Sequence, residues 1–240
     1  MPISRQPIID TIKNTLDTLT VARGLKTRTS QNQMIASIAQ MLMDSYDDRP
    51  EQGSNLAAIE APTGTGKSFG YLLPAIAFAK AADKKIVVAT AVISLQEQLI
   101  EKDLPAMQDA MVEPFTYAIA KGRSRFVCPS RLKEKTSELV TQGVKAPTKG
   151  DSDAFSVGVG PKEEEAKAMF EMLEHWNNRT WNGQQESLSI SEEHRKVIWP
   201  KVTTDSSGCS GKSCKEHKAC PYLEAKQTWQ NADVIIANHD

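Results

Sequence analysis

No stretch of this 240-residue sequence stays apolar long enough to cross a bilayer, which removes a membrane-spanning helix from the reading. The opening MPISRQPIIDTIKN lacks the basic start and unbroken apolar run of a secretory leader, as expected of a cytoplasmic protein. There is no excess of one charge: 29 Lys and Arg stand against 30 Asp and Glu, a formal net charge of -1. That excludes a uniformly basic nucleic-acid module, so any nucleic-acid surface has to be local. Cysteines are few, four in all. In the cytoplasm disulfides are seldom structural, and grouped cysteines more often bind metal or do chemistry. What is present is a core-forming share of apolar residues, 40%, enough for one large domain or one domain plus a smaller insert.

Apolar spacing predicts a helix over 7–23, with Ile8, Ile9, Ile12, Leu16 and Leu19 on one side and Gly24 as its stop. A second helix is expected over 31–45, striped by Met34, Ile35, Ile38, Met41 and Leu42. LAAIE (56–60) reads as a short buried strand feeding a glycine-rich loop, with a helix from about Lys67. KIVVAT (85–90) reads as a second buried strand, 94–103 as a helix and TYAIA (116–120) as a third strand. This alternation predicts an α/β fold on a parallel sheet. Residues 121–135 then carry Lys121, Arg123, Arg125, Arg131, Lys133 and Lys135 against Glu134 alone. Residues 141–160 read as loop, and Pro161 with Glu163, Glu164 and Glu165 starts a helix continued by Ala166, Met169, Phe170, Leu173 and Trp176. A helix over 221–230 and a buried strand, ADVIIAN (232–238), return the chain to the sheet. The layout is an α/β domain over 1–120, a cysteine-bearing subdomain over 121–225 and a return segment over 226–240. Trp176, Trp181, Trp199 and Trp229 are expected in the subdomain core rather than as base-stacking platforms.

APTGTGKS (61–68) fits a phosphate-binding loop, with Ala61 where glycine is more usual. Ala61, Pro62, Thr63, Gly64, Thr65 and Gly66 form the cradle, and the two glycines let N–H groups turn toward phosphate oxygens. Lys67 is placed for the β/γ phosphates of ATP and Ser68 for Mg²⁺, which makes these two the candidate catalytic residues. Hydrolysis also needs an acidic Mg²⁺ partner. No strand after residue 68 ends in an Asp-Glu pair, so the chain reads as ending before its second catalytic motif, with His239 or Asp240 the nearest substitutes.

Cys128 stands alone, and Cys209, Cys214 and Cys220 follow as C-x4-C-x5-C. Four thiols match an all-thiolate zinc site or a cubane iron–sulfur cluster, and the split spacing favours the latter modestly. Two disulfides, or buried small hydrophobes, are the plainer alternatives. The polar surroundings of the last three cysteines oppose burial without a metal, which would supply folding energy that the segment lacks. His217 is set aside as a solvated histidine.

Taken in order, these segments resemble the iron–sulfur branch of the superfamily 2 helicases, the XPD-like DNA helicases. RTSQNQM (28–34) is similar to the family's R-x-x-Q-x-x-M adenine segment, implying an adenine contact for Gln31 and support from Arg28. VVATAVISLQEQL (87–99) resembles motif Ia, which implicates Thr90 and Gln98 in DNA binding. KGRSRFVC (121–128) resembles the entry to the cluster domain, with Phe126 in place of the usual tyrosine, and CPY…ADVIIANH its exit. The resemblance implies a RecA-like motor domain interrupted by an iron–sulfur subdomain, with the DEAH-type motif and second motor domain absent. It implies a [4Fe-4S] cluster on Cys128, Cys209, Cys214 and Cys220, and ATP-driven 5′-to-3′ movement on single-stranded DNA. Duplex junctions, a monomeric state, a bacterial cytoplasm and a role in DNA repair are further expectations. The short stretch ahead of Arg28 leaves no room for the exonuclease domain that some relatives carry. Lys121, Arg123, Arg125, Phe126 and Arg131 are the expected DNA contacts around Cys128, with Lys212, Lys215 and Lys218 adding charge near the other cysteines. Two other readings are an RNA helicase or other P-loop ATPase with a zinc insert, and a non-catalytic nucleic-acid-binding module.

Overall fold

The most apolar strand expected from the sequence, ADVIIAN, is the middle strand of a three-stranded parallel sheet. The computed structural model describes residues 3–24, 28–47, 56–144, 161–188 and 190–238. Strand order is β1 (Ile86–Thr90), β3 (Val234–Asn238), β2 (Tyr117–Ala120), with Ile86 and Tyr117 both paired to Val234. A central strand covered on both sides can be apolar at successive positions, and Val234 and Ile236 are fully buried. Burying each such side chain stabilises the fold by about 1.5–3 kcal/mol.

The chain divides into two compact units, one of residues 1–120 and 228–240 and one of residues 121–227. In the first, α1 (Arg5–Arg23) buries Ile8, Ile12 and Leu19, and Gly24 ends it in the left-handed conformation, φ 60°. Helix α2 (Thr29–Asp47) packs along α3 (Lys67–Ala82), where Gly70 admits Met34. A methyl on Gly70 would lie 2.8 Å from the Met34 sulfur, so the close approach depends on glycine.

Three expectations are corrected in this unit. LAAIE forms no strand: residues 56–60 are exposed, Leu56 at 86%, and β1 pairs with β3 alone. A four-residue apolar run carries too little periodic information to fix its state without a ladder partner. Strand β1 is not buried throughout, since it alternates and leaves Val87 62% exposed. The helix expected over 94–103 is interrupted: α4 (Ile93–Gln98) passes through a π turn over Leu99–Asp103 into α5 (Leu104–Ala110).

The second unit holds α6 (Pro129–Thr141), α7 (Pro161–Asn177), α8 (Glu192–Val202) and most of α9 (Pro221–Asn231). Trp176, Trp181 and Trp199 meet edge-to-face in its core, with centroids 6.5 and 6.3 Å apart. Trp229 falls in the first unit instead. Of the loop expected over 141–160, positions 145–160 lie outside the described residues, as do His239 and Asp240.

Asp233 ties the starts of β2 and β3 to α3. Its Oδ2 accepts from the Thr116 N–H at 2.7 Å and hydroxyl at 3.0 Å, and Lys80 lies 3.6 Å from Oδ1. Burial alone would raise this carboxyl, but the bonds from Thr116 and the charge of Lys80 hold it below its ordinary 3.8. A depressed folded value adds stability above the unfolded one, and that stability is lost as pH falls through the folded one. Asp233→Asn is therefore expected to flatten the fall in urea midpoint below the ordinary Asp range. An unchanged acid limb would show that the latch has no electrostatic part.

Candidate functional site

The phosphate loop closes onto α3 through two glycines in the left-handed region, Gly64 at φ 80° and Gly66 at φ 79°. Side-chain-bearing residues strain at those angles, so the loop's sharp turn fixes glycine at both. Gly66 is the residue on which the helix starts: its carbonyl accepts from the Gly70 N–H at 3.0 Å and from Gln31 Nε2 at 3.0 Å. Lys67 Nζ donates to the Ala61 carbonyl at 3.1 Å, reaching back across the loop. The Thr65 hydroxyl donates to the Pro62 carbonyl. Thr63 is exposed, with no side-chain bond among the described residues.

Arg28, immediately ahead of α2, and Gln31 and Met34 on it are spaced three apart. Arg28 lies beside Gly64, Gln31 on Gly66 and Met34 on Gly70, so the whole R-x-x-Q-x-x-M column is applied to the loop and the first turn of α3. Ser68 lies near Tyr71, whose hydroxyl is pushed above its usual 10.0 mainly by burial, with Ser68 opposing the rise and Asp103 adding to it. Asp103 is itself buried in the π turn and accepts from Gln98 Nε2 at 2.9 Å. Sequence reasoning missed Tyr71 and Asp103; only their place one turn along from Ser68 and Gln98 hinted at them.

In the second unit all four cysteines line one cavity, together with Arg123, Phe126, His217 and Tyr222. No disulfide joins the four thiols in the structure. Cys128 and Cys220 each precede a proline that opens a helix, α6 and α9. Segment 123–128 is pinned by the Val127 N–H to the Gly183 carbonyl at 2.8 Å and the Cys128 N–H to the Val202 carbonyl at 2.7 Å. Trp199 Nε1 donates to the Ser124 carbonyl at 2.6 Å, which ties the same segment to the core. Cys209, Cys214 and Cys220 hang on two single 3-10 turns, Gly211–Ser213 and His217–Ala219. Burial pushes the Cys220 thiol up against the pull of N–H groups at Tyr222 and Leu223, and its neighbours Cys128 and Cys209 push it further. Among the described residues no three His, Cys, Asp or Glu side chains gather as a single metal ion requires. All four cysteines, the only thiols of the sequence, line that single cavity instead.

No family model matches the sequence. Among curated proteins it is similar to the ATP-dependent DNA helicase DinG of Escherichia coli strain K12, 35% identical over 214 residues. It is likewise similar to DinG of Salmonella typhimurium at 34% over 214 residues and of Photobacterium profundum at 33% over 212. Each match covers 88% of this chain. Over that span the chain is DinG-like. It spans 28% of the length of these DinG relatives.

Within the DinG-like span the expected DNA contacts are differently placed. Phe126 is 3% exposed and set edge-on to Tyr222, so its ring offers no face to a base. The Thr90 hydroxyl is buried and accepts from the Val92 N–H at 3.1 Å, closing a turn. Gln98 is spent on Asp103, as above. Lys121 and Arg125 both pair with Glu186, and this holds the Glu186 carboxyl below its usual range although burial opposes it. Arg131 Nη1 donates to the Thr203 carbonyl at 3.0 Å, and Lys133 and Lys135 pair with Glu216 and Glu138. Most of the basic run therefore holds the second unit together. Exposed pairs of this kind are worth about 0–1 kcal/mol each and can be traded for a stronger anion.

The loop geometry makes one substitution decisive. A methyl at residue 66 would stand 2.2 Å from Gln31 Nε2 at a left-handed φ. Gly66→Ala is expected to weaken MgATP binding at least tenfold (about 1.4 kcal/mol), read by titration with a fluorescent nucleotide. Adding Gln31→Ala removes the collision but not the backbone strain and should not restore binding; recovery to wild-type affinity would show that the glycine conformation is dispensable.

Proposed function

We propose that these residues are the part of an ATP-dependent DNA helicase that holds the nucleotide and an iron–sulfur cluster. What carries the reading is the meeting of all four cysteines at one cavity in a chain whose relatives bear that helicase name. In this reading the first unit is a RecA-like motor domain and the second an iron–sulfur domain. Gln31 turns from the Gly66 carbonyl to the adenine edge, with Arg28 beside it. The backbone of residues 61–66 cradles the phosphates, Lys67 leaves the Ala61 carbonyl for the β/γ oxygens, and Ser68 meets Mg²⁺. Cys128, Cys209, Cys214 and Cys220 are the ligands of a [4Fe-4S] cluster, which when bound would supply a cross-link between distant segments and a one-electron redox couple. The motor moves 5′ to 3′ on single-stranded DNA and opens duplex junctions, acting as a cytoplasmic monomer in DNA repair.

Two experiments test this. Protein purified without oxygen is expected to be brown and to carry iron and sulfide in equal amounts, and Cys214→Ser to lose most of both. Colourless, iron-free wild type, or zinc in the thiols, overturns the cluster. The 240 residues alone are expected to bind MgATP with negligible turnover, because the acidic Mg²⁺ partner is not among their recognised motifs. Turnover equal to that of a longer polypeptide carrying a second motor domain would sink that expectation.

A further inference from the structure

Arg123 differs from the other cations of its run. Lys121, Arg125, Lys133 and Lys135 each meet a glutamate, whereas Arg123 Nη1 donates to the Cys209 sulfur at 2.8 Å. The same guanidinium lies 4.3 Å above the centre of the Tyr222 ring. Tyr222 is fixed in turn by the edge of Phe126 at 5.9 Å and follows Cys220 by two residues. One side chain thus touches the segments that carry three of the cysteines. A second donor, the Gly211 N–H, also points at Cys209 Sγ, from 3.4 Å.

Hydrogen bonds to a ligating sulfur draw charge from it and favour the more negative, reduced state of the metal group. A guanidinium adds a full positive charge and is held in plane by the aromatic face. We propose that Arg123 is a positioning residue for Cys209 that raises the reduction potential of the cluster and slows its loss. This rests on the cluster reading above and deepens it: the cation that a basic run offers to DNA is at this position committed to sulfur. Replacing it removes both a charge and a brace from the ligand whose segment has the least packing.

The test uses the 240-residue chain prepared anaerobically as wild type, Arg123→Gln, Arg123→Lys and Arg179→Gln. The last is a control that loses a cation lying over Trp176 in the same unit. Iron and sulfide content, a mediated redox titration of the cluster absorption, and the rate of bleaching in air are the readouts. Arg123→Gln is expected to shift the oxidised-to-reduced ratio at fixed potential about tenfold toward oxidised, which is about 59 mV for one electron, and to bleach several-fold faster. Arg123→Lys, which keeps the charge but not the planar fork, should fall between, and Arg179→Gln should match wild type. Wild-type titration and bleaching in both Arg123 variants of iron-loaded protein overturn this inference while leaving the cluster reading intact. Iron-free wild type overturns both together. If Arg123→Gln cannot be obtained folded, the Arg123→Lys titration decides: a shifted ratio upholds the inference, and an unshifted one overturns it.

Discussion

Four half-buried cysteines that line one cavity set the terms for the second unit. The stretch from Thr203 to Cys220 contributes few side chains to any core and is shaped by short polar turns. Asp205 accepts from the Gly208 N–H at 2.7 Å and the Ser207 N–H at 3.0 Å, bonds that keep its carboxyl below the usual range. Arg131 braces the Thr203 carbonyl, and Arg123 the Cys209 sulfur. Around this weakly packed segment stands a well-packed frame, with Trp176 on α7, Trp199 on α8 and Trp181 on the segment between them. The frame positions Cys128 and Cys220 through proline-started helices; the two cysteines between depend on their own turns. The cysteine cavity is therefore lined by well-packed segments on one side and by short polar turns on the other; under the proposed function, bound metal would contribute part of the folding energy.

The first unit solves a different problem, how to aim backbone N–H groups at an anion without a side chain intervening. Its answer is one helix face applied to three glycines. Arg28 just ahead of α2, and Gln31 and Met34 on it, run in step with Gly64, Gly66 and Gly70, so recognition at the loop and packing below it belong to one continuous contact. Displacing α2 would disturb both. Lys67 has a protein partner in the structure, the Ala61 carbonyl, which under the proposed function it gives up for phosphate.

Much of this was legible in the sequence because the signals were periodic or local. The stripes of α1 and α2, Gly24 as a stop, the proline opening α7, and the apolar run of β3 each have a one-dimensional signature; α6, inside the basic run, was not expected. The π turn does not, since Gln98 and Asp103 pair across a distortion that ordinary helical spacing cannot signal. Leu56–Glu60 resembled a strand only through composition. The basic run read as a surface because its counter-charges, Glu186 and Glu216, lie far along the chain. Thr90 and Phe126 were identified by motif, and a motif does not say which way a side chain turns. The four cysteines were legible as a set, while the contacts of Arg123 with Cys209 and Tyr222 were visible only once distant segments were brought together.

The placement of β3 has a kinetic side. Its partners are complete by residue 120, yet Ala120 pairs with Ala237, so the sheet closes only after more than a hundred intervening residues have been made. Closing so long a flexible loop is costly in entropy, and topologies of high contact order fold slowly. An intervening unit that folds on its own would shorten the effective loop before the strand docks. During synthesis the first two strands must then wait with an unfilled slot between them, so the order in which the polypeptide emerges favours assembly of the insert before completion of the sheet.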